Sequence, residues 1–425
     1  MREETSDERR SLDSESRVGR VLTDAVAAER LRIVATLIRT TGDWDLAEDA
    51  VADAVERALQ RWPYAGVPEN PAAWLTTTAR RRAIDLIRRA TAERRRLAEM
   101  SALDELRARD MHTEESSVDD DRLRLVFTCC HPALPMEARV ALTLKAVSGL
   151  STAAIARAFL ITEATMSQRL LRAKRKISNA GISFRVPSAS TLPERLDGVL
   201  AVIYLVFTSG YAGSAAELAD EAIRLGRLLV ELMPDSDEAR GLLALMLLHH
   251  ARREARMVGD ELITLEHQDR SRWDADAIAE ALSLAQPPGI ERGRYRVEAD
   301  LAAVHAGAND VTGTDWPAIV GLYDELLRLM PSPIVELNRA IAVGMSDGPL
   351  AGIAALDAVA DEPPLVGYHL LHAARADLLA RSGLPAEAVL ALDEAMALAP
   401  TEQEIRQIDR RRSELIADIE RSDQP

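Results

Sequence analysis

STAAIARAFLITEATMSQRLLRAKRK, residues Ser151 to Lys176, decides the fold. It reads as a short helix, a tight turn at Leu160-Ile161-Thr162 and a second, basic helix. Ser151 is placed to cap the first helix and Thr162 the second, while Ile155, Ala156 and Phe159 mark the first helix's buried face. In the second helix Met166, Leu170, Ala173 and Ile177 recur at i, i+4, i+7 and i+11, so one stripe faces a core. Thr165, Gln168, Arg169, Arg172, Arg175 and Lys176 fall on the opposite stripe, and all can donate to base edges or phosphates. A helix-turn-helix has this pattern, with the second helix lying in a major groove. An ordinary helical hairpin with a solvated basic face has it too.

The surroundings favour an all-α protein. Ala, Leu and Arg dominate and aromatics make up only 4% of the 425 residues, a length that suggests two to four domains. The formal net charge of −16 is unevenly spread. Residues 1–186 hold 31 Lys and Arg against 28 Asp and Glu, a net of +3, which leaves −19 for residues 187–425. An acidic half joined to a half with basic patches points to a protein partner or internal regulation rather than a second nucleic-acid site.

Only two cysteines occur, Cys129 and Cys130, followed by His131. They allow no disulfide framework, which fits a reducing cytosol, and they are too cramped for metal-ligand spacing. Buried helix packing is the better reading, and neither a metal nor a cofactor is expected. The N-terminal MREETSDERRSLDSESR has no apolar core for a signal peptide, and the longest apolar run, Val199 to Phe207, is too short to cross a bilayer. The expected location is cytoplasmic, with no membrane partner.

Residues 1–20, charged and Ser-rich, are expected to be disordered. A first helix is expected over Thr23 to Thr40, ended by Gly42. Asp45 is placed to cap the next helix, with Glu48 completing a capping box. That helix turns Leu46, Ala50, Val51, Ala54, Ala58 and Leu59 inward, and Trp62-Pro63 ends it. Its outer face gathers Asp45, Glu48, Asp49, Asp53 and Glu56, either a solvated face or a dock for a basic protein. Asn70 as N-cap with Pro71 at the first helical position opens the most basic helix, with Arg80, Arg81, Arg82, Arg88, Arg89, Arg94, Arg95 and Arg96. Such a run attracts phosphates by counterion release. Residues 98–120 read as a linker. A helix from about Ser117 carries Leu123, Phe127 and Cys130 inward, and the next runs from Pro135 to Gly149 before the helix-turn-helix.

Two small helical domains, one ending AWLTTTARRRAIDLIRR and one ending LSTAAIARAFLITEATMSQRLLRAKRKI, together resemble an extracytoplasmic-function (ECF) sigma factor of bacterial RNA polymerase. The resemblance covers residues 20–182. It implies a region 2 domain at 21–97, a linker at 98–120 and a region 4 domain at 121–184. It further implies that Asp45, Glu48, Asp49, Asp53 and Glu56 dock on core RNA polymerase, whose beta-prime clamp and beta flap are the family's partners. Asn70, Arg80, Arg81, Arg82, Arg88 and Arg89 would serve the melted −10 element of promoter DNA, with a flipped base captured at Ala65 to Asn70. Thr165, Gln168, Arg169, Arg172, Arg175 and Lys176 would read the −35 element. No catalytic residue is implied. A stand-alone helix-turn-helix regulator is the alternative; it would need neither the acidic helix nor the second basic domain, and would usually be a dimer on palindromic sites.

Beyond Val186 a minimal sigma factor would end, yet helical patterning continues through 185–425. LLRLMP ends at Pro331, AVADEPP at Pro364 and AMALAP at Pro400, intervals of 33 and 36 residues that bracket the tetratricopeptide period of about 34. The clearest repeats span 314–400. With ERLDGVLAVIYLVFTSGY and EHQDRSRWD, the chain resembles the ECF subgroup with a C-terminal tetratricopeptide-like extension, which implies that the extension modulates activity, with a regulatory protein or ligand bound there. His267 and Asp269 read as a capped turn rather than catalytic groups. The ERLDGVL and HQDRSRW segments either contact the sigma half or stabilise the extension internally.

Overall fold

The computed structural model describes residues 4–98, 118–159, 161–211, 216–258, 261–284, 292–308 and 313–422. The fold is all-α. Its helices are α1 (Glu4–Thr41), α2 (Trp44–Ala65), α3 (Pro71–Ala98), α4 (Val118–Cys129), α5 (Met136–Leu142), α6 (Thr152–Ala158), α7 (Glu163–Asn179), α8 (Leu192–Tyr211), α9 (Ala216–Leu232), α10 (Asp237–Ala251) and α11 (Arg253–Arg256). Then come α12 (Ala275–Leu284), α13 (Arg294–Gly307), α14 (Trp316–Leu329), α15 (Pro333–Ser346), α16 (Pro349–Asp357), α17 (His369–Arg381), α18 (Pro385–Leu398) and α19 (Glu402–Ser422). Two-residue strands β1 (Met257–Val258) and β2 (Glu261–Leu262) pair antiparallel between α11 and α12. The chain forms two compact units, residues 1–225 and 226–425.

In the first unit α1, α2 and α3 pack together around Val34, Ala35, Ile38, Ala47, Ala50, Ala54, Ala58, Leu75 and Ala79, all buried. Gly42, at φ 68°, permits the reversal between α1 and α2. Trp62 and Trp74 meet edge to face at 5.5 Å and join the end of α2 to the start of α3. A second cluster, α4 to α7, buries Phe127, Leu134, Leu142, Leu144, Ile155 and Met166.

Several expectations are corrected. The helix begins at Glu4, not near Thr23, so the described part of residues 1–20 is helical. Once a packed helix exists, its nucleation cost is already met and Glu- and Arg-rich turns propagate from it cheaply. The N-cap of α2 is Asp43, which accepts from the Asp45 and Leu46 amides at 3.1 Å; Asp45 lies in the first turn. Both aspartates suit the cap, and Gly42 fixes which one takes it. Pro63 lies inside α2, which runs on to Ala65. Leu59 is exposed, while Ala47 and Trp62 take the inward positions. The α5 helix starts after Pro135 and relaxes into a π turn at Thr143–Val147 before Gly149. The linker expected over 98–120 falls almost wholly outside the described residues.

Helical packing continues past residue 185. The α8 helix packs on α4 and α5, burying Val199, Leu200 and Ile203, and the Arg195 guanidinium donates to the Phe127 carbonyl at 2.6 Å. An apolar helix following α7 buries its own stripe by packing against the face that α4 and α5 present. Cys129 and Cys130 lie beneath, both buried; burial pushes both thiols up, Cys130 to about 11.

In the second unit α10 packs between α12 and α13. Gly293 gives α13 no capping side chain, and Glu238 of α10 accepts instead from the Tyr295 and Arg296 amides at 3.1 and 3.0 Å. Arg296, buried, donates to Asp300 at 3.0 Å and lies 3.3 Å from Asp237. Helices α14 to α19 follow as successive packed neighbours. Prolines mark their starts: Pro317, Pro333, Pro349 and Pro385 sit in first turns, whereas Pro364 lies in the turns between α16 and α17 rather than closing a helix. The EHQDRSRW segment forms two short 3-10 turns held by contacts within this unit. Asp269 accepts from the Ser271 amide at 3.0 Å, Arg270 donates to the carbonyls of His305 and Ala308, and Glu266 pairs with Arg381 at 3.0 Å.

That arrangement makes the second unit acid-sensitive. His249 is buried and accepts from Arg252 at 3.0 Å, so burial first and the neighbouring arginines second pull it down to about 3; His305 falls to about 4 for the same reasons. Both stay neutral when folded and protonate when unfolded, so stability present above pH 6.5 is lost as pH falls toward these values. Denaturant unfolding of the full chain at pH 5 should show the second unit weaker than at pH 7 by about 2 kcal/mol per histidine. A flat profile, or one unchanged by His249→Leu, would refute this.

Candidate nucleic-acid and polymerase interfaces

The α6–α7 pair folds as its local chemistry dictates. The Ser151 hydroxyl accepts from the Ala154 amide at 3.1 Å, and the Thr162 hydroxyl from the Thr165 amide at 3.2 Å. All four of Met166, Leu170, Ala173 and Ile177 are buried. With that stripe fixed, Thr165, Gln168, Arg172, Arg175 and Lys176 are exposed and Arg169 half-buried. The six fall on one side of a 17-residue helix about 25 Å long, a length that lies within a major groove. Phe159, expected on the inward face of α6, is only partly buried.

On α3, Asn70 caps the helix by accepting from the Ala73 amide at 2.9 Å. Arg80, Arg81, Arg88 and Arg89 are exposed. Arg82 is not: its guanidinium reaches back to Asp53 of α2 at 3.1 Å, joining the two helices. The side chains of Arg94, Arg95 and Arg96 lie outside the described residues. Tyr64, 92% exposed, stands at the end of α2 just before the Ala65 to Asn70 loop.

The acidic residues of α2 divide into two groups. Asp49 and Glu56 are exposed, Glu56 holding Gln60 at 3.1 Å. Asp45, Glu48 and Asp53 are engaged within the chain. Asp53 pairs with Arg57 and Arg82. Lys174 of α7 approaches Asp45 at 2.7 Å and Glu48 at 3.6 Å, and Lys145 of the π turn lies 4.0 Å from Glu48. The spacing of residues along one helix predicted the acidic face; pairing with a lysine 129 positions away has no local signature.

Residues 25–93 match Sigma-70 region 2, residues 124–177 match Sigma-70, region 4, and residues 195–287 match a family of unknown function, DUF6596. The first two matches coincide with α1–α3 and α4–α7. The uncharacterized protein R00370 of Rhizobium meliloti (strain 1021) is 42% identical over 393 residues, covering 89% of this chain and 92% of that protein. The chain belongs to the family of R00370 and is of sigma-70 type. Sigma-70 regions 2 and 4 are DNA-binding parts of a transcription-initiation factor that works with core RNA polymerase on promoter DNA, and such families are non-catalytic. Among the described residues no helix is long and apolar enough to cross a membrane.

Proposed function

We infer that the chain is an ECF-type sigma factor acting in the cytoplasm, whose C-terminal helices form a tetratricopeptide-like extension that modulates it. The observation that carries this is the pairing of two separately folded basic helices, α3 and α7, with an acidic helix, α2, preceding them in the same unit. Arg169, Arg172 and their neighbours enter the −35 major groove. Asn70, Arg80, Arg81, Arg88 and Arg89 meet the melted −10 strand, where unpaired bases can stack and phosphates are close. Asp49 and Glu56, exposed on α2, meet the basic polymerase clamp; region 4 meets the flap. The successive helices α14 to α18 support the repeat reading of the extension, on which a regulatory protein or ligand binds.

Reconstituted transcription with core polymerase tests this. The full chain should initiate from a cognate promoter. Asp49→Lys with Glu56→Lys should weaken core binding tenfold or more at unchanged melting temperature. A chain ending at Pro234, which keeps α8 in place over α4 and α5, should initiate at an altered rate. Absence of any promoter-dependent transcript with full-length protein would sink the proposal.

A further inference from the structure

The EHQDRSRWD segment of the second unit takes no part in the promoter-binding surfaces. Its Arg270 guanidinium lies over the Trp273 ring at 4.6 Å, and Arg252 of α10 lies over the same ring at 5.9 Å. Arg270 Nη1 donates to the carbonyls of His305 at 2.8 Å and Ala308 at 2.5 Å. Its Nε and Nη2 make no hydrogen bond among the described residues, and no carboxylate there reaches them. The acids of the segment are turned elsewhere. Glu266 pairs with Arg381, Asp269 accepts from the Ser271 amide and hydroxyl, and Asp274 caps α12 by accepting from the Ala277 amide. Residues 187–425 hold 40 Asp and Glu against 21 Lys and Arg, so an arginine without an acid is out of place there. Arg227, Arg240, Arg292, Arg339 and Arg375 of the same unit each take a carboxylate. Two buried polar atoms of the segment also lack partners: Gln268 Oε1 and the indole Nε1–H of Trp273, a residue only 8% exposed. A buried donor without an acceptor is costly, and a native fold keeps one where a ligand or ordered water answers it. The local potential is positive as well. Burial first, then Arg252 and Arg270, hold His305 down to about 4, and no carboxylate among the described residues opposes them.

We propose that Arg270, Arg252 and the Trp273 indole form a binding site for the oxyanion of a small ligand, a carboxylate or a phosphate. A guanidinium edge matches either group with two parallel hydrogen bonds. The carbonyl bonds of Nη1 hold Arg270 in place, so its Nε–Nη2 edge is set before the ligand arrives. The indole Nε1–H supplies a further donor. An anion here also relieves the repulsion between two cations that share one ring. The site goes beyond the sigma-factor reading. It lies wholly within the second unit, and its occupancy is measured without polymerase or promoter.

The test follows the Trp273 indole Nε1–H resonance of the full chain, assigned by its absence in Trp273→Phe. Inorganic phosphate and acetate are titrated in turn at constant ionic strength. A saturable shift is expected; phosphate alone marks a phosphate ligand, and acetate alone a carboxylate. Arg270→Gln should weaken binding at least roughly tenfold, as the loss of a charge-assisted pair requires. Arg270→Lys keeps the charge without the planar edge and should weaken it by a smaller factor, which covers the case in which the glutamine variant unfolds. Arg272→Gln, exposed on the same turn, should bind as the parent does. Shifts that fail to saturate with both probes overturn the site. So does a folded Arg270→Gln or Arg270→Lys that binds as tightly as the parent, or an Arg272→Gln that loses as much as Arg270→Gln.

Discussion

Replacing Arg169 and Arg172 together by alanine should abolish transcription that depends on the upstream promoter element and leave binding to core polymerase intact. Each arginine that meets a base edge with two hydrogen bonds discriminates by about 1–3 kcal/mol, so losing both removes roughly a hundredfold or more in promoter affinity. The fold should not notice. The side of α7 that holds region 4 together is Met166, Leu170, Ala173 and Ile177, and the two arginines lie off it. Lys176→Ala is the contrasting case: it removes a charge from the phosphate backbone and keeps the sequence preference, visible as a salt dependence shallower by about one. Gel-shift and run-off assays across salt concentrations separate the two. Failure of the double variant to bind core would mean that this side of α7 serves the polymerase rather than the DNA.

Gly241→Ala should unfold much of the second unit, although alanine is the better helix former. Propensity alone favours the change by about 1 kcal/mol. Geometry opposes it, because a Cβ on Gly241 would stand 2.6 Å from the Arg296 amide nitrogen and 2.7 Å from its Cα, and backbone cannot step aside. Helices α10 and α13 must part, and with them go the two Glu238 hydrogen bonds that cap α13 and the Arg296–Asp237 pair. A cost of about 3–5 kcal/mol follows, combining overpacking with stranded polar groups. Gly321→Ala on α14 has no heavy atom within 4 Å of its added carbon and should be stabilising by up to about 1 kcal/mol. Thermal melts of the two variants therefore move in opposite directions. Equal and small shifts would show that α10 and α13 can part at little cost.

The contrast between these sites shows where local sequence logic stops. The buried stripe of α7 is readable because four apolar residues at helical spacing leave one orientation, and the caps at Ser151 and Thr162 follow from hydroxyls at helix starts. The Asn70-Pro71 start of α3 is legible for the same reason. Asp43 and Asp45 are equally good caps by type, and only the left-handed Gly42 between helices decides for the first. Leu59 reads as core on a helical wheel, yet the Trp62–Trp74 pair fills that end of region 2 and leaves it outside. Arg82 looks like one of three equivalent arginines; its position on the α2 side of α3 makes it an ion-pair partner instead. Gly241 carries no pattern that marks it as a helix crossing, because closeness between α10 and α13, which are not consecutive helices, is a property of the assembled unit; Gly344 and Gly352 mark a close crossing between the consecutive helices α15 and α16. The Gly352 position alone would bring a Cβ within 2.6 Å of the Gly344 Cα.

The Glu266–Arg381 pair joins residues 115 positions apart, and α19 packs near β2 beside it. An open array of helical repeats frays from its free end, since each repeat leans only on its neighbours. Here α17 and α19 are tied back to the loop between α11 and α12, so their loss is felt at the turn that holds Arg270 and Trp273.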